Sequence, residues 1–202
     1  MGEERFDVSQ AETLVDAFQR ENVEFLFIGK GAAILMGYPS TTLDVDLFLP
    51  KDPENGRKVV RALRAIGFVL TESQAAEIIR GKDFVQLNGP FDLDLIHAPD
   101  GLPEYGKVKA RSIRIEKFPL VCLADIIASK EATGRQRDRL ELPLLRAFQR
   151  VYEQEQQRSQ SHDQQQQEAG GGDSALNANK VCSTLICDRG KSGCGVSGAG
   201  SL

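Results

Sequence analysis

No run of this chain is apolar for long enough to span a bilayer, so no membrane helix is expected. No long block of lysine or arginine occurs either. With a net charge of −4 over 202 residues, bulk electrostatic binding of nucleic acid is disfavoured. The opening segment, MGEERFDVSQ, is polar and acidic, with no secretory pattern and no Ser or Thr at position 6 for myristoylation. A cytoplasmic location is the resulting expectation. Cysteine is scarce, with four residues. Cys122, in PLVCL, reads as a small core side chain. Cys182, Cys187 and Cys194 lie in a Gly/Ser-rich stretch at spacings that fit no zinc knuckle, and three thiolates do not close a structural zinc site. The chain has no internal repeat, and the P-loop spacing is absent.

What is present is a patterned chain with a biased end. An apolar fraction of 41% is ordinary for a globular protein. Composition changes near Val151, where EQEQQRSQSHDQQQQEAGGGDSALNANK begins to favour Gln and then Gly. Such a segment buries too little apolar surface to offset its ordering entropy. The expected division is therefore a folded domain over 1–152 and a low-complexity, disordered tail over 153–202, with the last helix fraying into the Gln run.

Within the first 150 residues the hydrophobic period alternates. SQAETLVDAFQREN places Leu14, Val15 and Phe18 at helical spacing, with Ser9 as N-cap and Glu12 completing a capping box. VEFLFIG reads as a strand, GAAILMGY as a short helix and TLDVDLFL as a strand. DPENGRKVVRALRAIG is a helix with Pro53 in its first turn and Gly67 as its stop. KDFVQLN and FDLDLIH are strands joined by the turn NGP. RSIRIEKFPLVCL adds one strand. LADIIASKEATG and RDRLELPLLRAFQRVYEQ are helices. Mixed elements with one hairpin argue α+β, a mixed sheet flanked by helices.

Two strands carry paired aspartates. Residues i and i+2 of a strand share a face. Asp44 and Asp46 therefore point opposite to Val45 and Leu47, and Asp92 and Asp94 opposite to Leu93 and Leu95. Four converging carboxylates repel unless a cation joins them, and hard divalent ions such as Mg²⁺ suit oxygen donors. Asp92 sits at a strand start, so Asp94 is the stronger candidate ligand. Ahead of the first pair, the strand ending at Ile28 passes through Gly29, Lys30 and Gly31 into a helix. Glycines there allow backbone N–H groups to approach a phosphate.

This order resembles the nucleotidyltransferase superfamily related to DNA polymerase β, and within it the small AbiEii-type and minimal nucleotidyltransferases. The motif is a strand, a glycine pair, a short helix and Asp-hydrophobic-Asp. It is matched here by Gly29, Lys30, Gly31, Ala32, Gly37, Ser40, Thr42, Asp44 and Asp46. LADIIASKEATGRQRDRLEL is similar to the family's later helix pair, with Lys130, Arg135 and Asp138 in matching places. The resemblance spans about residues 8–148. It departs at Lys30, where the family has glycine, and at Ser40, where it has arginine.

The resemblance implies a nucleotidyltransferase-like sheet and a Mg²⁺-dependent enzyme that moves a nucleoside monophosphate from an NTP to an acceptor hydroxyl on a protein, RNA or small molecule. It implies two Mg²⁺ ions on Asp44, Asp46 and Asp94, which are also the catalytic candidates. Gly29, Lys30, Gly31, Thr42, Lys130 and Arg135 are then the candidate nucleotide contacts. The alternative is a degenerate relative that binds a nucleotide, or a partner protein of toxin–antitoxin type; Lys30 and Ser40 favour it. A metal-dependent nuclease also clusters aspartates but does not require the glycine element. Arg137, Asp138, Arg139 and Glu141 read as surface pairs. His97 reads as a structural strand-end histidine, and Phe25, Phe27 and Phe48 as core.

Overall fold

A computed structural model describes residues 6–169. Over them the fold is α+β, with a mixed six-stranded sheet flanked by helices. Contacts divide the chain into a compact unit ending at Ser161 and a second unit from His162, of which only residues to 169 are described, as helix. The expected tail thus begins inside a helix, whereas residues 170–202, with their three cysteines, lie outside the described residues.

Helix α1 (Val8–Arg20) is capped two residues earlier than the sequence suggests. The Asp7 carboxylate accepts the Ser9 N–H at 2.7 Å, and the Gln10 side chain accepts the Asp7 N–H at 3.2 Å. Ser9 and Glu12 are not the capping box; Asp7 displaces them because Gln10 stands at its N3 position and completes the pair. Strand β1 (Leu26–Ile28) leads into α2 (Gly29–Leu35), followed by β2 (Asp44–Phe48) and α3 (Pro53–Ala65).

Next comes α4 (Glu72–Arg80), which the sequence reading omits. It begins at a Thr71–Gln74 capping box and stops at Gly81 in the left-handed region. Its backbone presses on α3 at Gly56, where an added Cβ would lie 2.7 Å from the Ile79 Cα. Strands β3 (Phe84–Asn88) and β4 (Asp92–Ile96) form the expected hairpin. A short helix, α5 (Tyr105–Lys109), was also not foreseen. The segment read as one further strand is instead a hairpin, β5 (Ile113–Ile115) and β6 (Phe118–Leu120). It folds back because Glu116 takes a positive φ of 50° between them. Helices α6 (Leu123–Thr133) and α7 (Gln136–Ala169) close the described chain.

The sheet order is β3-β4-β2-β1-β6-β5. The neighbours β2 and β4 run parallel, while β1 runs antiparallel to β2. Val45, Leu47, Leu93 and Leu95 on the central strands are fully buried, together with Leu14, Val15 and Phe18 of α1. Burying each such side chain favours folding by about 1.5–3 kcal/mol. Helix α7 docks through one stripe. Leu145 is buried, and the Phe148 ring packs at a tilt against Tyr38 at 5.4 Å and Tyr152 at 5.9 Å between ring centroids. Asp138 and Glu141 share that stripe at the helical i, i+3, i+4 spacing, so docking α7 carries both acids inward. Among the described residues, no helix is long and apolar enough to cross a membrane.

Candidate functional site

The acidic pairs lie where the strand period puts them. Asp44 pairs in register with Asp92, and Asp46 with Asp94, across β2 and β4. Three of the four converge: one carboxylate oxygen each from Asp44, Asp46 and Asp94 lie within 4.8 Å of one another. Asp92 is drawn aside and accepts a hydrogen bond from Asn88 Nδ2 at 2.8 Å.

The cluster is electrostatically loaded. Asp94 is 8% exposed, and its Oδ1 is buried with no hydrogen-bond partner among the described residues. A buried oxygen without a donor carries an uncompensated desolvation cost. Burial, and then the charges of Asp44 and Asp94, push Asp46 up to about 8, against the opposing pull of Lys130 and Arg137. Burial, followed by Asp44 and Asp92, pushes Asp94 up to about 6, with Arg135 and Arg137 opposing. Carboxylates that repel one another into holding protons are relieved by a divalent cation.

Gly29 is fixed by this cluster. Its φ is +69°, and a Cβ there would sit 2.2 Å from Asp46 Oδ2. No side chain fits at that point, so glycine serves the close packing of α2 against the acid strand. Gly31 behaves differently. It is buried, and its Cβ position meets only the Asp44 carbonyl at 3.9 Å. Thr42 is tied to the cluster, because its Oγ1 donates to Asp44 Oδ1 at 2.6 Å and so sets that carboxylate's orientation.

A cleft of about 680 Å³ opens over the acids. Its lining includes Gly29, Lys30, Thr42, Lys130 and Arg135, so all the sequence candidates except Gly31 reach it. Lys30 and Lys130 do not stand free in it. Lys30 Nζ lies 2.9 Å from Glu141 Oε1, and Lys130 Nζ lies 3.0 Å from Glu141 Oε2 and 3.1 Å from Asp138 Oδ1. Asp138 and Glu141 are therefore not surface pairs. The inward stripe of α7 buries Asp138 to 5% exposure and half-buries Glu141. The sequence offered this only through the spacing of Asp138, Glu141, Leu145 and Phe148. Arg137, also read as a surface charge, lines the cleft and is exposed there. His97 is structural as expected: buried, with Nδ1 2.7 Å from the Lys82 carbonyl oxygen.

No family model matches this chain, and no curated protein matches it.

Proposed function

We propose that the cleft binds a Mg²⁺–nucleoside triphosphate and transfers its nucleoside monophosphate to an acceptor hydroxyl. The observation that carries this reading is the convergence of Asp44, Asp46 and Asp94, with Asp94 Oδ1 buried and unpartnered. Those three side chains would hold the metal, with two ions expected, and their all-oxygen donor set fits Mg²⁺. Bound there, Mg²⁺ would offset the carboxylate charge and stabilise charge on the transferred phosphoryl group.

The chain's own residues have distinct tasks. Lys130, Arg135 and Arg137 line the wall above the acids and would hold the triphosphate. Thr42 keeps Asp44 turned towards the cluster. Asp94 would ligate the metal beside the acceptor hydroxyl and take its proton. The acceptor oxygen bonds to the α-phosphorus as the bond to pyrophosphate breaks.

A second reading, a nucleotide-binding or toxin–antitoxin partner protein without transfer, is favoured by the ion pairs of the cleft wall. Glu141 engages Lys30, and with Asp138 it engages Lys130 as well, so both lysines would have to leave these carboxylates to reach a phosphate. Incubating the full chain with Mg²⁺, α-labelled NTPs and cell extract separates the two. Transfer of label that disappears in Asp46→Asn and Asp94→Asn supports the enzyme. Mg²⁺-dependent NTP binding without transfer supports the binder. Absence of both refutes the nucleotide reading.

A further inference from the structure

The acid cluster spans two rows of a ladder that crosses the sheet. On the site face, pairing in register places Asn88, Asp92 and Asp44 in one row and Gln86, Asp94 and Asp46 in the next. The row after that is Phe84, Ile96 and Phe48. Rows of this kind are two residues apart along each strand, about 7 Å. The face thus passes from amide and acid, through the metal-ligand candidates, to a purely apolar row.

The members of that apolar row are covered unequally. Phe48 is 1% exposed, and its ring packs on Tyr105 at 5.2 Å between centroids. Phe84, on the edge strand β3, is 48% exposed and lines the cleft with Ile96, Ala98 and Pro99. An open aromatic on a sheet edge is an association hazard, and proteins usually place charge or cover there. Gln86, the edge member of the row that holds Asp94 and Asp46, is exposed in the same cleft.

We infer that Phe84, backed by Ile96 and Pro99, is a stacking shelf for the nucleobase of the bound nucleotide. The spacing selects this occupant. Phe84 stands one strand and one row from Asp94, about 8 Å between backbone positions, a distance that a ribose joined to its phosphate can bridge. Gln86 lies beside that path, with an amide able to donate to and accept from ribose hydroxyls. Stacking on an aromatic face tolerates any base, so Phe84 supplies affinity for the nucleoside, and base preference falls to other groups. The inference rests on the nucleotide reading above.

The test compares Mg-ATP with Mg-tripolyphosphate, which carries the phosphates and no ring. Binding of both is measured by calorimetry on the full chain for wild type, Phe84→Ala, Phe84→Leu, Phe84→Tyr and Asp46→Asn. Phe84→Ala is expected to weaken Mg-ATP about tenfold or more and to leave Mg-tripolyphosphate unchanged. Phe84→Leu keeps the apolar contact of the strand but lacks the ring, so it should lose most of the same affinity. Phe84→Tyr should retain it. Equal Mg-ATP affinity in wild type, Phe84→Ala and Phe84→Leu, with binding still abolished by Asp46→Asn, overturns the shelf and leaves the nucleotide reading standing. A change of oligomeric state in Phe84→Ala without a change in affinity also overturns it, since the ring then covers a protein contact. If wild type binds neither ligand, both the shelf and the nucleotide reading fall.

Discussion

Glu141 and Lys130 form an ion pair of 3.0 Å in the wall of the cleft, and the other oxygen of Glu141 holds Lys30 at 2.9 Å. One carboxylate on α7 thus ties together lysines from α2 and α6. Its side chain is 12% exposed and that of Lys130 is 14% exposed, so water screens the contact poorly. Replacing Glu141 by Gln leaves Lys30 without its partner and Lys130 with Asp138 alone. The expected cost is about 1–3 kcal/mol, the range for a buried charge-assisted bond. Lys30→Ala should cost less, because Glu141 keeps Lys130. Thermal melts of both variants and of the double variant give the coupling; a coupling near zero would show that the pair is ornamental.

Gly29→Ala is expected to damage both the fold and the site. A left-handed φ costs a residue with a Cβ about 1–2 kcal/mol by itself. The new methyl would also meet Asp46 Oδ2 at 2.2 Å, so Asp46 or α2 must move. Gly31→Ala is the control, since the space beside it is open to 3.9 Å. A lower melting temperature and weaker Mg²⁺ binding in Gly29→Ala, with little change in Gly31→Ala, is the expected pattern. Equal tolerance at both positions would refute the packing argument.

Without metal, stability should fall as the pH rises from weakly acid to weakly alkaline. The folded chain holds protons on Asp46 up to about 8 and on Asp94 up to about 6, while the ordinary aspartate value is 3.8. Between those limits Asp46 and Asp94 hold more protons in the folded state than in the unfolded state, so their contribution to the slope is negative; buried His97, held below its ordinary 6.5, opposes it below that value, and the fall is read above it. The contribution is full below 3.8 and is lost as the pH passes through the folded values. Asp46→Asn removes the wider window and should flatten the upper part of the profile. Melting curves in chelator from about pH 5 to about pH 8 check this, and a wild-type profile that rises with pH above 6.5 would contradict it.

Removing residues 162–202 should leave the melting temperature almost unchanged. The compact unit ends at Ser161, and the last buried side chain of α7 in it is Leu145, with Phe148 and Tyr152 partly buried. Residues 153–159 are exposed. A loss of about 1 kcal/mol would already appear as a shift of a few degrees, so a larger fall would show that the removed segment packs on the unit.

Much of this architecture was legible before any coordinates. The D-x-D period fixed the faces of β2 and β4, and burial of Val45, Leu47, Leu93 and Leu95 follows from it. Asp94 was separable from Asp92 by its place within the strand, and the cluster contains Asp94 alone of the two. Helix α4 was legible through Thr71, Gln74 and Gly81 and through the spacing of Ala75 and Ile78, but it is only nine residues long. The hairpin of β5 and β6 was hidden because its turn uses Glu116 where Gly or Asn would have signalled one. The contacts of Glu141 could not be read locally. They depend on how α7 meets α2 and α6, a long-range packing that charge patterning along one helix does not encode. Phe84 had no signal at all, since its exposure follows from β3 lying at the sheet edge.

The most direct test of the metal-centred reading is a calorimetric titration of the full chain with Mg²⁺, comparing wild type with Asp44→Asn, Asp46→Asn and Asp94→Asn. The expected result is saturable binding in wild type and its loss in Asp46→Asn and Asp94→Asn, with each metal-free variant at least as thermally stable as wild type because repulsion is relieved. Binding that persists unchanged in Asp46→Asn and Asp94→Asn, or no binding in wild type with or without an NTP present, would contradict it.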